Sequence, residues 1–347
     1  MNRFYIPTIF VFISLSTSAQ QLSLNENPYP PAAGVRSAID KEVANIARYP
    51  GPDANELVAA IAQKEGVKES QIITGEILGQ LGVYLGLKGG EFIYSVPGYP
   101  VFTDAAASVG GKVIEVPLNE RKENDLRKIS EQINNHTTAI FLVNPHNPSG
   151  TVSDKKAFHD FLHTASKQAI ILVDEAYLEY TDDFAGRTAV NNIKEGDNVI
   201  VFRTFAKAYG MAGLSIGYCV AAPAIAGFLR EKGLGNVHDL NRLSVVAAKA
   251  ALADKNYVGN INRTVHIERE KWNRLLDSLH LEHTSSQANF VYFNTGKPYE
   301  QVTAAYKAQG IQIARLFPPY HTWIRITIGL PAENKKAQDV LRKLCVL

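Results

Sequence analysis

A few polar residues at the ends of apolar runs carry the chemistry that this sequence offers. Lys207 lies in FRTFAKAYGMAGLSIGY, residues 202–218, among small and apolar neighbours and ahead of glycines 210, 213 and 217. A solvated lysine needs no such frame. A lysine that must shed its proton and attack a carbonyl does, because burial pulls the ammonium pKa toward neutrality and glycines allow close backbone approach. Asp174 closes the run from Ala169 to Val173, and Tyr177 follows three residues later in VDEAY. A carboxylate emerging from a buried strand is costly unless a cation meets it. A protonated ring nitrogen, a Mg²⁺ ion or a core ion pair would each serve, although the GxxxxGK[ST] loop of a nucleotide-hydrolysing site is nowhere in the chain. Asn144 and Asn147 sit in NPHNPSG, where prolines 145 and 148 stiffen the loop. An amide held this way can aim a hydrogen bond at a ligand, or the segment is an ordinary turn. Arg325 is embedded in the apolar WIRITIGL. Its rigid fork suits bidentate capture of a substrate acid, with structural pairing to a glutamate as the rival.

The elements that must position these residues alternate from about residue 56 onward. ELVAAIAQKEG and KKAFHDFLHTASKQ read as amphipathic helices, and GEFIYSVPG, GGKVIEVPL, TTAIFLV, AIILVDEAY and NVIVFRTF as strands. This is the pattern of a mostly parallel sheet covered on both faces, in which ligands bind at the carboxyl ends of the strands. After about residue 235 the character changes. A long helical region from Arg242 to Leu279 leads to NFVYF, a helix around YEQVTAAYKAQG, the strand WIRITIGL and a helical tail AENKKAQDVLRKL. The expectation is an α/β three-layer sandwich at residues 46–238 and a smaller α+β domain at 239–347, the latter joined by an N-terminal segment at 20–45.

Bulk composition sets the frame. At 347 residues the chain has room for one large domain and a smaller one, with a deep cleft. A net charge of +2, with 46% hydrophobic and 20% charged residues, excludes a disordered chain and argues against nucleic acid as a partner. Two cysteines, Cys219 and Cys345, are too few for a disulfide framework or a cysteine zinc site, and no metal site is expected. MNRFYIPTIFVFISLSTSAQ begins with Arg3, an apolar run to about Leu15, and small residues before Gln20. That is the order of a secretory signal at 1–19, cut near Ala19, with a buried first strand or an uncleaved anchor as the alternative. The run is too short for an ordinary spanning helix, so the mature protein is expected free of the membrane and exported, most simply to a bacterial periplasm; without the signal it would be cytoplasmic.

Taken in order, Asn147, Asp174 with Tyr177, Lys207 and Arg325 resemble the fold-type I aminotransferases that use pyridoxal 5′-phosphate, and in particular histidinol-phosphate aminotransferase and its relatives. LNENPYPP, RYPGPDANEL, VPGYPVF, NPHNPSG, VDEAY, the lysine segment, NFVYF and RITIG with the following EN are similar to that family's signposts, across about residues 22 to 345. The resemblance implies that Lys207 forms the Schiff base with the cofactor and then carries the proton between the substrate Cα and the cofactor. It implies that Asp174 keeps the pyridine nitrogen protonated, that Asn147 and Tyr177 bond the ring's phenolic oxygen, and that Tyr99 packs on the ring. Tyr49 matches a tyrosine that reaches the phosphate in a neighbouring subunit, which implies a homodimer. Arg325 would bind the carboxylate of an amino acid or 2-oxo acid, and Arg315 a distal acidic group. The implied reaction is transamination. Another reaction of the same cofactor (decarboxylation, racemisation, elimination or cyclisation) and a degenerate binding protein without catalysis are the alternatives.

Two positions depart from the family's pattern. The family's serine before the lysine and arginine eight residues after it, both phosphate ligands, are here Ala206 and Ser215. The upstream phosphate loop is the shortened ITGEILGQL. Gly75 there is expected to lead into a helix whose N-terminus faces the phosphate, with Glu76 repulsive if it points inward. Thr204, Ser215, Tyr49 and backbone N–H groups remain to hold the dianion. Loss of a guanidinium–phosphate pair costs on the order of 2 to 3 kcal/mol, a fifty- to hundredfold weakening, so a looser grip on the cofactor is expected.

Overall fold

In the computed structural model, which describes residues 20–346, seven apolar segments pair side by side to form the central sheet. The expected signal segment 1–19 lies outside the described residues. The strands are β1 (Gln20–Leu22), β2 (Ile72–Thr74), β3 (Glu91–Val96), β4 (Lys112–Pro117), β5 (Thr137–Val143), β6 (Ile170–Asp174), β7 (Val199–Thr204), β8 (Gly217–Ala221), β9 (Phe290–Asn294), β10 (Ile311–Ile313) and β11 (Trp323–Thr327). The large sheet has the order β2-β8-β7-β6-β5-β3-β4. Strands β4, β3, β5, β6 and β7 run parallel, and β8 is antiparallel to both its neighbours. Strands β5 and β6 read as continuous apolar runs because helices cover both faces, leaving almost no residue of either at the surface. The helix Lys155–Ala165 shows how such a cover forms. Asp154 caps it by accepting from the Ala157 N–H at 2.9 Å, and Phe158, Phe161, Leu162 and Ala165 fall on one buried face.

Antiparallel β9 and β11, with β10 beside β11, build a second unit whose core holds Trp272, Phe290, Phe293, Tyr306 and Ile324. The N-terminal segment ties both units together: β1 pairs in parallel with β10, and Val35 of the helix Ala33–Glu42 is buried in the large core. The long helical region expected from Arg242 to Leu279 consists of two helices, Arg242–Ala253 and Tyr257–Ser278, separated by Asp254 in an extended conformation. The first buries Val245, Ala248 and Ala251 in the large core, and the second buries Ile261, Trp272 and Leu276 in the small one. The passage between cores therefore falls between these helices and not at residue 239. An Ala-rich helix is apolar enough to pack on either unit, and its sequence carries no mark of which.

The carboxyl ends of β5, β6 and β7 deliver Asn147, Asp174 and Lys207 to one side of the sheet. Behind them, the buried guanidinium of Arg203 lies 2.7 Å from Glu175, 3.4 Å from Glu179 and 3.7 Å from Glu65. Burial pushes the Glu175 carboxyl up to about 7, whereas Arg203 and Lys64 hold Glu65 down at about 2 against its own burial. Glu175 and Arg203 directly adjoin Asp174 and Thr204, so this cluster fixes the strand ends from which the cleft residues project. Removing the cation would strand buried carboxylates, so Arg203→Met is expected to destabilise the protein by about 3 to 5 kcal/mol in urea unfolding, whereas a loss below about 1 kcal/mol would mean the cluster does not hold the strand ends.

Candidate active site

Lys207, Asp174, Asn147, Tyr177, Tyr99, Thr204, Gly75, Arg315 and Arg325 line one cavity of about 890 Å³ between the sheet and the smaller unit. Asp174 is buried at the end of β6, and its Oδ1 accepts from the Ala176 N–H at 2.9 Å. Desolvation raises its carboxyl to about 6, with nearby Glu76 adding to the rise and Lys207 opposing it. No arginine, lysine or histidine pairs with it among the described residues, so it is a carboxylate prepared for a cation from outside the chain. The rival core ion pair is found one residue on, at Glu175.

Lys207 Nζ donates to the Leu24 carbonyl at 3.0 Å. Desolvation lowers its pKa and neighbouring Arg325 lowers it further, while Glu26, Asp174 and Glu76 oppose the shift. A lysine in this setting loses its proton more readily than one in water, as a nucleophile requires. The Tyr177 hydroxyl accepts from Asn25 Nδ2 at 3.0 Å and, through a longer contact of 3.5 Å, from Asn147 Nδ2. With its acceptor sites engaged, its own O–H remains to donate to a ligand oxygen.

Arg325 answers the choice left open by its sequence context. Its guanidinium donates to Asn147 Oδ1 and, at 2.6 Å, to the Ser23 carbonyl, and it stacks over Phe290 and Phe317 at 5.2 and 5.1 Å. No glutamate or aspartate meets it among the described residues, and its Nε has no partner. Burial, and Arg315 beside it, lower its pKa to about 10, still fully cationic at neutral pH. Arg315 lines the same wall, lies 4.6 Å over the Phe317 ring and likewise has no carboxylate partner there.

Two expected site residues lie elsewhere. Ser215 is outside this cavity; it takes a left-handed conformation, φ 46°, and lines a neighbouring space of about 400 Å³. Tyr49 is 72% exposed and packs edge-on against His238, so within this chain it reaches no part of the cleft. Gly75 lines the cavity, but the helix it precedes begins only at Leu78. Asn144 serves the loop itself: its Oδ1 accepts from the Ser153 N–H at 3.1 Å.

Other residues join the site. Asn25 holds the N-terminal strap across the cleft: its N–H donates to Thr327 Oγ1 at 3.0 Å, and its carbonyl accepts from Asn289 Nδ2 at 3.0 Å. The strap's Ser23 and Leu24 carbonyls supply the acceptors for Arg325 and Lys207. The LNENPYPP segment was the only sequence signal for this, because backbone carbonyls leave no residue signature. Glu76 does point inward, its Oε1 accepting from Thr204 Oγ1 at 3.1 Å.

The cofactor implied by the resemblance is pyridoxal 5′-phosphate. Asp174, Lys207 and the Asn147–Tyr177 pair suit its ring nitrogen, aldehyde and phenolic oxygen. The wall formed by Gly75–Gly79 and Thr204–Lys207 offers the dianionic phosphate a hydroxyl and a helix start, but also a carboxylate. It carries no cation besides Lys207 and Arg203, whose guanidinium is committed to its three glutamates.

The family model "Aminotransferase class I and II" matches residues 18–341. A histidinol-phosphate aminotransferase of Limosilactobacillus fermentum is 33% identical, with 92% of this chain and 89% of that protein covered. An aromatic amino acid aminotransferase of Cutibacterium acnes is 34% identical, over 93% and 92%. The crystal structure of histidinol-phosphate aminotransferase from Sinorhizobium meliloti in complex with pyridoxal-5′-phosphate is 28% identical, with a TM-score of 0.85 over 94% of this chain and 91% of that one. The chain belongs to the class I and II aminotransferases, with the fold-type I architecture, and is an enzyme that transfers amino groups.

The raised Asp174 carboxyl sets a sign for stability. A group whose folded pKa exceeds its unfolded value stabilises the fold at low pH and loses that contribution as pH rises through the folded value, here between about 4 and 6. Asp174→Asn in the cofactor-free protein is therefore expected to raise unfolding stability at pH 7.5 by up to about 3 kcal/mol and to leave it little changed at pH 4. Equal effects at both pH values, in parallel thermal melts, would show that Asp174 is not held against desolvation.

Proposed function

We propose that this exported, homodimeric enzyme moves an amino group between an amino acid and a 2-oxo acid with pyridoxal 5′-phosphate at Lys207. The observation that carries the reading is that one cavity is lined by a lysine, by a buried carboxylate and by an arginine, the latter two without a charged partner among the described residues. Pyridoxal 5′-phosphate supplies an aldehyde that joins amines and a protonated pyridine ring that withdraws the electron pair left when the Cα–H bond breaks. Asp174, as an anion, keeps that ring nitrogen cationic. Once a cation faces it, the cost that lifts its own pKa is offset. Lys207 Nζ, released from the Leu24 carbonyl and neutral, holds the aldehyde at rest and afterwards takes the proton from Cα and returns it elsewhere. The Tyr177 O–H, steadied by Asn25, donates to the phenolic oxygen. Tyr99 lies over the cavity with its hydroxyl pKa raised to about 12 by burial and by Asp174, and so stays a neutral aromatic wall.

Arg325 orients the substrate by its carboxylate. Its guanidinium is desolvated and aromatic-stacked, which strengthens a bidentate pair. Arg315 on the same wall favours a substrate with a second acidic group, and the Tyr99 and Phe317 rings favour an aromatic one. Both fit the relatives' substrates, histidinol phosphate and aromatic amino acids. The homodimer reading rests on exposed apolar residues ahead of the helix Pro52–Glu65: Val43, Ile46 and Tyr49 are 49%, 63% and 72% exposed. Tyr49 there would reach the partner's phosphate site. Export rests on the signal-like order of residues 1–19.

Lys207→Ala is expected to abolish the visible absorbance that the cofactor acquires on joining the lysine, and with it turnover; retention of either would refute the assignment. Arg325→Ala is expected to lower kcat/KM by about 10²- to 10³-fold with the absorbance intact, as loss of a buried charged contact implies. An unchanged kcat/KM would remove it from substrate binding. Sedimentation is expected to show a dimer, with Tyr49→Ala weakening cofactor affinity without unfolding the subunit, and N-terminal sequencing of the secreted protein is expected to begin at Gln20. A monomer of full activity, or an intact Met1, would contradict those parts.

A further inference from the structure

The end of the cavity away from the arginines is built around an acid. Glu76 lies in the turn before the helix Leu78–Gly86, and its carboxylate rests on Thr204 Oγ1 and against Gly217. A Cβ added at Gly217 would come 2.9 Å from Glu76 Oε1 and 2.7 Å from the Arg203 carbonyl, so only glycine leaves room for this seat. The same wall presents the helix's first N–H groups, which have no intrahelical acceptor and suit an anion. A carboxylate and an anion site thus share one wall.

The charged and titratable groups around Glu76 do not resolve the conflict. Lys207 faces it from the loop after β7, Asp174 from the end of β6, and Tyr99 from the turn after β3. On the far side, Asp239 lines the adjoining space together with Glu76 and Ser215, and among the described residues no lysine or arginine does. Arg203 behind β7 is committed to its three glutamates. Among the described residues, Lys207 is the one cation in reach that no acid holds, and it is consumed when it joins the cofactor.

We propose that Glu76 holds the cofactor's phosphate through a shared proton, so that the site accepts the phosphate only with one proton retained between the Glu76 carboxylate and a phosphate oxygen. The balance is simple: a phosphate dianion and a carboxylate anion take up one proton from solvent, no other bond forms or breaks, and an O–H···O bond replaces a repulsion. Burial already disposes Glu76 to this, raising its pKa despite the Thr204 hydrogen bond and Lys207. The phosphate contributes a second ionisation near 6. The grip on the cofactor therefore tightens as pH falls. This rests on the pyridoxal 5′-phosphate reading and concerns only its phosphate end.

The test compares dissociation constants of pyridoxal 5′-phosphate and 5′-deoxypyridoxal, which keeps the aldehyde and ring but has a methyl in place of the phosphate ester. Both are titrated from pH 6 to 9 by the visible absorbance of the lysine-bound form. Ionisation of Lys207, Asp174 and Tyr99 affects both compounds, so the ratio of their constants isolates the phosphate end. The expected result is a preference for the phosphorylated compound that falls by up to about tenfold per pH unit above about pH 7.5, where one proton must be taken up. In Glu76→Gln, which keeps the shape and the contact with Thr204, the preference is expected to be nearly flat over that range and at least about tenfold larger at pH 8.5. A flat ratio in the unaltered enzyme overturns the proposal whatever the variant does, as does a variant whose preference is unchanged or smaller. Binding of 5′-deoxypyridoxal with a flat ratio leaves the Lys207 reading standing and removes only Glu76. Binding of neither compound removes both.

Discussion

Everything in the cleft depends on a carboxylate, Asp174, held out of water with no cationic partner among the described residues. Such a group survives only where the surrounding structure is rigid enough to refuse it one. Here the rigidity comes from Glu175, the residue just after β6, and Arg203 within β7. Glu175 and Arg203 make the ion pair that Asp174 lacks, on the other face of the sheet, and the alternation of side chains along a strand separates the paired acid from the unpaired one. The same logic extends across the cavity, where Arg325 is a cation denied an anion and held by an amide, a backbone carbonyl and two aromatic rings. Two opposite unmet charges on facing walls define what a ligand must bring: a cationic nitrogen at one place and an acid at another.

The N-terminal strap converts these walls into a closed site. Strand β1 belongs to the smaller unit and the following helix to the larger, so residues 23–26 cross the cleft under restraint from both ends. Their carbonyls hold Lys207 and Arg325, and Asn25 holds Tyr177. The phosphate end is built differently from the rest, with Glu76 turned inward and with Ala206 and Ser215 standing where the resemblance leads one to expect a serine and an arginine. The cavity is consequently polarised, cationic toward the substrate acid and acidic toward the cofactor phosphate.

Much of this was legible in the sequence, and the parts that were not have physical causes. The parallel sheet showed through because strands buried on both faces must be apolar throughout, and the polar residues that end them stand out. Asp174, Lys207, Asn147 and Arg325 were readable for that reason. The helix Arg242–Ala253 was misplaced because an alanine-rich surface does not say which core it joins. Ser215, expected beside the phosphate, takes a left-handed backbone and lines an adjoining space that Gly75 and Glu76 also border. The strap was readable only as a resemblance, since it acts through carbonyls. In ITGEILGQL, Glu76 is repulsive only if it points inward, and the Thr204 hydroxyl and the bare face of Gly217 that seat it inward become neighbours only on folding.

The most direct test of the account asks which lysine the cofactor joins. The holoenzyme is reduced with borohydride, digested, and the pyridoxyl-bearing peptide identified by mass spectrometry. The account predicts one modified residue, Lys207, in the peptide that follows Arg203. Modification of a different lysine, or none after reduction of protein that shows bound cofactor, would contradict it.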